Sequence, residues 1–293
     1  MKRNGVVTMK IALVVKSKKS ADTYQEIKRY AAYLRKRDIG VAIEASMAEA
    51  VDPGLMRFKG RIPDDADIVV VFGGDGTFLW AIRLMGDQNI PIIGVNIGGL
   101  GFLTEITMEE LFTVTDLVIS GSAVYEKRMR LHVQVLDNGT PPGMTYDVLN
   151  DAVITKGTIA RMILLKTSVD HNYLTTYKAD GLIIATSTGS TAYSMASGGP
   201  IVYPTTDSII LAPISPHTLT NRPIVLSPEA VVEATLESGE EDVVVTLDGQ
   251  VSRPIKKDTM IVVSKSSHDI TVIKSPFRNY FEILREKLKW GER

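Results

Sequence analysis

Residues 68–77 read IVVVFGGDGT, and the fold turns on how this stretch divides. Ile68–Phe72 is an unbroken apolar run, as in a strand buried on both faces of a parallel sheet. Gly73-Gly74-Asp75-Gly76-Thr77 ends it, and an apolar pattern with helical spacing resumes over 78–86. In open parallel sheets, ligands bind where strands end and helices begin. One carboxylate among three glycines at such a point asks for a chemical reason.

The same alternation holds on either side. Residues 11–15, IALVV, read as a buried strand, and Met9 just before them is an alternative start. Residues 22–37 read as an amphipathic helix with Tyr24, Ile27, Tyr30, Ala31 and Leu34 on one face and Gly40 beyond its end. Asp22 with Gln25 has the form of a capping box. PIIGV at 91–95 is a further strand, and Thr107 with Glu110 opens a helix bearing Leu111, Val114, Leu117 and Val118. Strands alternating with helices give an α/β domain with a parallel, Rossmann-like sheet over residues 1–122.

Near residue 123 the period changes from helical to twofold. Met129, Leu131, Val133 and Val135 alternate with Arg130, His132 and Gln134, and Asp137-Asn138-Gly139 follows as a turn. Strand-like runs recur at 146–155, 161–169, 182–186, 208–212, 231–236, 243–247, 259–263 and 270–273, with no convincing long helix among them. Residues 123–272 are therefore expected to form a mainly antiparallel all-β domain, close to the first because no linker separates them. The C-terminal segment, 273–293, carries Phe277, Tyr280, Phe281, Leu284 and Leu288 at helical spacing and is expected to return to the first domain.

Composition narrows the chemistry. Lys+Arg at 33 balances Asp+Glu at 34 in 293 residues, which argues against a nucleic-acid-coating surface. The chain has no cysteine, so disulfides, thiolate catalysis and cysteine metal sites are excluded. Apolar runs fall far short of a membrane span, and Lys10 interrupts the N-terminal one, so a cytoplasmic protein without membrane partners is expected. His132, His171, His217 and His268 are widely spread with no metal-ligand spacing. The run Lys16-Ser17-Lys18-Lys19-Ser20 reads as a solvated loop at the end of the first strand.

In the turn, Gly73, Gly74 and Gly76 let a ligand approach the main chain, and amides at the start of the next helix hold phosphate. Thr77 is the expected N-cap. These four residues form the candidate phosphate cradle. Asp75 repels phosphate unless a metal ion intervenes or its task is to accept a proton, so it is the candidate catalytic residue; otherwise it merely holds the turn by bonding nearby amides. A Walker A loop would need Gly-Lys-Ser/Thr, and a dinucleotide fingerprint starting at Gly74 would place its third glycine at Leu79. A second glycine stretch, NIGGLGFLTEI at 96–106, follows another buried strand and is placed to meet the first at the same sheet edge. In the β region, TSTGSTAY at 186–193 supplies hydroxyls without bulk, a lining suited to ribose and phosphates. It is no nucleophile elbow, because Ser187 and Ser190 lack the flanking glycines. Asn150-Asp151 breaks the apolar alternation of MTYDVLNDAVIT, as a strand end or as a pair that binds ribose hydroxyls.

GGDGT at 73–77, Asn150-Asp151, TSTGSTAYSMASGGP at 186–200 and PHTLTNRPIVL at 216–226 come in the order seen in NAD kinases, and the chain resembles that family over nearly its full length. GGDGT also resembles loops of lipid kinases and phosphofructokinases; the TGSTAY stretch with Gly199-Pro200 is far more specific. The resemblance implies an α/β domain, an all-β domain and a returning C-terminal segment. It implies transfer of the γ-phosphoryl group of ATP to the 2′-hydroxyl of the adenosine ribose of NAD, giving NADP, with a divalent ion, usually Mg²⁺. Some relatives accept polyphosphate as donor. The resemblance also implies that NAD lies between the domains and that the assembly is a homodimer or homotetramer.

Carried onto this chain, the resemblance makes Asp75 the base, beside Gly76 in the NAD site. It makes Asn150 and Asp151 the pair on the adenosine portion. Arg161, Lys178 and Asp180 match polar positions along the dinucleotide, some of them reaching across a subunit interface. Thr191, Ala192, Tyr193, Ser194 and Ala196 match the stretch along the substrate, and Gln250 in LDGQ matches another contact. Two positions depart from the usual pattern: Asp151 stands where Glu is more common, and Ser187 where Pro is often found. A fused NADP phosphatase is not expected. The alternatives are a lipid or sugar kinase with the same turn and a non-catalytic NADP(H)-binding sensor.

Overall fold

The computed structural model describes residues 9–16, 20–137, 145–157, 161–218, 220–238 and 242–291. Residues 17–19 of the lysine run and Asn138-Gly139 of the expected turn lie outside them. The chain begins with β1 (Lys10–Val15), α1 (Ala21–Arg35), β2 (Gly40–Glu44), α2 (Ala48–Val51), β3 (Met56–Phe58), β4 (Ile68–Gly73), α3 (Asp75–Met85), β5 (Ile92–Asn96), α4 (Met108–Ile119) and β6 (Tyr125–Arg128). It continues with β7 (Leu131–Asp137), β8 (Thr145–Val148), β9 (Asp151–Lys156), β10 (Ile163–Val169), β11 (Asn172–Ala179) and β12 (Gly181–Thr186). Next come α5 (Tyr193–Ala196), β13 (Ile209–Ile214), β14 (Ile224–Leu226), β15 (Val232–Ser238), β16 (Val243–Leu247), β17 (Val251–Ile255) and β18 (Thr259–Lys265). Last are β19 (Ile270–Ile273) and α6 (Tyr280–Leu288).

Two compact units result: Met1–Lys127 with Ile270–Arg293, and Arg128–Asp269. The divisions fall at 127/128 and 269/270, against the 122/123 and 272/273 read from the sequence.

The first unit is built on one seven-stranded sheet in the order β3-β2-β1-β4-β5-β19-β6. β3 through β5 pair in parallel, and β19 joins β5 in parallel at Val272 and Ile92. β4 is buried along its whole length, as a run free of polar residues demands. One face packs Ile11, Leu13, Val70 and Phe72 against Ile27, Tyr30 and Leu34 of α1. The Tyr30 hydroxyl meets Thr115 of α4 at 2.8 Å, so two helices on that face are tied through a satisfied buried polar pair.

Several boundaries differ from the sequence reading. α1 is capped by Ser20, whose hydroxyl accepts from Thr23 N–H at 3.2 Å, so Asp22 is a first-turn acid and no capping box forms there. Residues 270–273 lie in the parallel sheet and not in the β domain; with Ile270, Val272 and Ile273 buried, the strand suits an interior position. The last helix starts at Tyr280, because Asn279 and Glu282 form a capping box. That start puts Tyr280, Ile283 and Leu284 inside and leaves Phe277 and Phe281 54% and 58% exposed.

The box expected at Thr107 and Glu110 is present at the start of α4. Thr107→Ala should cost about 1 kcal/mol, read as a lower midpoint in chemical denaturation.

The second unit packs two six-stranded antiparallel sheets, β11-β10-β15-β18-β7-β8 and β14-β13-β12-β9-β16-β17. Leu131, Val133, Leu165 and Val263 of one meet Ile154, Ile184, Leu211 and Val245 of the other in a shared core. The single run read at 146–155 is two strands, β8 and β9, parted at Leu149-Asn150. β11, NYLTTYKA, carries too little apolar alternation to be read in advance; it is placed by its antiparallel partner β10.

Candidate functional site

Both glycine stretches lie at the ends of neighbouring strands. β4 ends at Gly73, and Gly74 is the N-cap of α3, so Asp75 is the first residue of the helix. Thr77 is not the cap. It lies inside the first turn, buried, with its N–H on Gly74 O at 2.8 Å and its side chain in the space a Cβ on Gly73 would need. Gly74 and Gly76 are exposed, with open space where their side chains would stand. That side of the turn is the one a phosphate can approach.

The Asp75 carboxylate does not fold back on its own turn. Its Oδ1 accepts from Leu103 N–H at 3.0 Å and from the N–H and hydroxyl of Thr104, both at 3.2 Å. Its Oδ2 accepts from Phe102 N–H at 3.0 Å. The 96–106 stretch thus meets GGDGT through this one side chain. Gly101 makes the approach possible: a Cβ there would overlap Oδ1 of Asp75 and the Thr104 hydroxyl. A carboxylate oxygen offers about two lone-pair directions. Oδ1 is crowded by three donors, whereas Oδ2 takes one among the described residues and keeps room for a hydroxyl.

In the second unit a cavity of about 540 Å³ opens among β9, the end of β13, the β16–β17 hairpin and the segment after β12. Of the residues read from the sequence, Asn150, Asp151, Asp180, Ala192 and Tyr193 line it. Arg161, Lys178, Thr191, Ser194, Ala196 and Gln250 do not. Arg161, Lys178 and Ala196 are exposed, Thr191 and Gln250 half-buried. Ser194 is fully buried against Gly199, and its Oγ has no hydrogen-bond partner among the described residues.

The Asn150-Asp151 corner is held from three directions. Thr186 N–H and Oγ1 bond Asn150 O at 2.9 Å and Leu149 O at 2.5 Å. Gly189 lies so close to the Asn150 carbonyl that no Cβ fits. From the β16–β17 hairpin, Asp248 accepts Leu149 N–H at 2.9 Å, Asn150 N–H at 2.7 Å and Asp151 N–H at 3.2 Å. Asp248 stands at φ 50 and Gly249 at φ 64, the left-handed pair a tight hairpin asks for.

Burial, and then the nearby charge of Asp248, push the Asp151 carboxyl up to about 7. Burial also raises Asp248, against which its three amide bonds and Arg130 act. The remaining charges of the cavity, Lys156 and Asp180, pair with each other at 2.8 Å.

Asp248 and Lys156 were not singled out from the sequence. The Asp-Gly dipeptide after an alternating strand marks the hairpin, but nothing local shows that its carboxylate serves residues 149–151. A second cavity, about 610 Å³, lies in the first unit at the end of β5. Glu109, Glu282 and Glu286 on its wall make it a poor place for phosphate. His132 Nδ1 donates to the Asp147 carboxylate, 2.8 Å away, and among the described residues no group of His, Asp and Glu is arranged to hold a metal ion.

Comparison with known proteins adds the following. Residues 11–123 match the model of the ATP-NAD kinase N-terminal domain, and 149–275 that of the ATP-NAD kinase C-terminal domain. The chain is 48% identical over 266 residues to an NAD kinase of Geobacter sulfurreducens, covering 89% of this chain and 92% of that one. It is 42% identical over 287 residues to an NAD kinase of Solibacter usitatus, covering 97% and 99%. Among solved structures, an Archaeoglobus fulgidus NAD kinase in complex with ATP superposes with a TM-score of 0.74 at 28% identity, over 95% of this chain and 99% of that one. A yeast NADH kinase complexed with NADH gives 0.88 at 24% identity, over 98% and 89%, a likeness of fold.

Proposed function

The chain belongs to the NAD kinase family, and from that premise we propose that Asp75 is the base with which it phosphorylates NAD. In the reaction, the 2′-hydroxyl oxygen of the adenosine ribose attacks the γ-phosphorus of ATP. Its proton passes to Oδ2 of Asp75, the bond from the γ-phosphorus to its bridging oxygen breaks, and ADP leaves beside NADP. The carrying observation is the tethering of Asp75 at the glycine turn: four donors fix its orientation and leave Oδ2 with a single amide. Gly74 and Gly76 keep the turn open to the phosphates, while Gly73, buried beneath them, makes room for the Thr77 side chain. Thr77 is withdrawn from that role by its burial.

Asn150 and Asp151 hold the adenosine portion in the second unit's cavity, with Asp180, Ala192 and Tyr193 along its wall. Arg161, Lys178, Thr191, Ser194, Ala196 and Gln250 belong to the same dinucleotide site in our reading, although none lines the cavity of the single chain. For Ser194 the support is weakest, since it faces Gly199. Asp151→Ala should raise the KM for NAD well beyond its effect on kcat; the reverse would put Asp151 in the chemistry.

A divalent ion, Mg²⁺ in this reading, supplies charge neutralisation on the transferring phosphoryl group when bound. The donor set fits an ion carried mainly by phosphates and water with at most one carboxylate, the usual habit of Mg²⁺, and Asp75 would hold it through water. We also propose a homodimer or homotetramer in the cytoplasm. No helix among the described residues is long and apolar enough to cross a membrane.

The test is an NADP-formation assay on purified protein with NAD, Mg²⁺ and either ATP or polyphosphate, beside diacylglycerol and fructose 6-phosphate as acceptors. NADP is expected from NAD and ATP, and no product from the other acceptors. Folded protein that binds NADP yet forms none with either donor would overturn the kinase reading and leave the sensor.

A further inference from the structure

The Asp248 carboxylate reaches beyond its own hairpin. Both oxygens point across to the start of β9, where they take the N–H groups of Leu149, Asn150 and Asp151. In return, Asp248 N–H bonds Asp151 O at 2.9 Å. These three amides span the break between β8 and β9 and the first residue of β9. The Asn150-Asp151 corner therefore owes its shape to a carboxylate nearly a hundred residues further along the chain. We propose that Asp248 is the positioning residue of this cavity, holding Asn150 and Asp151 in the conformation that receives the dinucleotide. The proposal rests on the dinucleotide reading of the cavity given above.

A second consequence concerns charge. Two carboxylates buried side by side resist ionising together. Asp151 faces Asp248 from the hairpin, while Lys156 on β9 and Asp180 before β12 neutralise each other, Tyr193 is uncharged, and Arg130 acts on Asp248. With its carboxyl pushed up to about 7, Asp151 changes charge near neutrality. A ribose hydroxyl bonds the ionised form more strongly. The KM for NAD should therefore fall as pH rises from 6 to 8.

Asp248→Asn is the informative variant. Asn tolerates the left-handed backbone at φ 50 and keeps the turn, but it brings an NH₂ against the amides of 149–151 and removes the charge. The KM for NAD is expected to rise about tenfold with kcat within about twofold. The inflection in KM should move to more acidic pH, and Asp151→Asn should abolish it. In the wild-type protein without ligand, the amides of 149–151 should exchange slowly with solvent deuterium. An unchanged KM and inflection in Asp248→Asn, or fast exchange at those amides in the wild type, overturns the positioning role. A wild-type protein that forms no NADP overturns the underlying reading instead.

Discussion

Asp75→Asn is expected to lower turnover about 10²–10⁴-fold while NAD binds nearly as before. The side chain keeps its size, and its remaining oxygen can still accept from Leu103 and Thr104. What it loses, in the role proposed for it, is the capacity to take a proton from the ribose hydroxyl. Its NH₂ would also face the Phe102 N–H, donor against donor, where Oδ2 now accepts at 3.0 Å. The two effects separate by measurement. Loss of the base lowers kcat in single-turnover assays, whereas a loosened 102–104 loop shows as faster amide exchange there. Unchanged turnover would remove Asp75 from the chemistry and return it to a purely architectural role.

Gly101→Ala is expected to cost about 10–10²-fold in turnover with a modest loss of stability. The added methyl would occupy the space of Asp75 Oδ1 and of the Thr104 hydroxyl, so the carboxylate must give up part of its tether to the 102–104 amides and swing aside. The carboxylate remains chemically intact and is displaced by the order of an ångström, a misplacement that carries a penalty of about 10². kcat and the melting temperature measured on the same preparation decide the matter. A large drop in both would mean that the loop has collapsed, and full activity would mean that Asp75 need not stand where it does.

Parts of this architecture could be read from residues alone because their cause is local. The run Ile68–Phe72 can only be a buried strand, and Thr107 with Glu110 carries its own cap. The glycine turn is legible for the same reason, since its glycines end the strand and let the helix begin at Asp75. Other features were hidden because their cause is remote. Asp75 as the link between two loops depends on amides 27 to 29 residues away. Asp248 depends on a corner elsewhere in its sheet, which no window of sequence contains. Ser and Thr favour the N-cap position, yet here Gly74 reaches it first and leaves Thr77 to fill the gap beneath Gly73. Residues 270–273 look like any other short strand of the β region; only pairing with β5 assigns them to the parallel sheet.

That last strand has a bearing on how the protein comes off the ribosome. Synthesis proceeds from the N-terminus, and domains usually fold as they emerge. Here β19 sits between β5 and β6, so the sheet of the first unit has a vacant slot until almost the whole chain has been made. β5 stays an open edge meanwhile, able to pair with foreign strands. The unit from Arg128 to Asp269, by contrast, is continuous in sequence and complete before β19 appears. The half that carries Asp75 is thus the later one to close, and a nascent chain stalled before Ile270 would hold the cavity residues of the second unit but an unfinished sheet around the glycine turn.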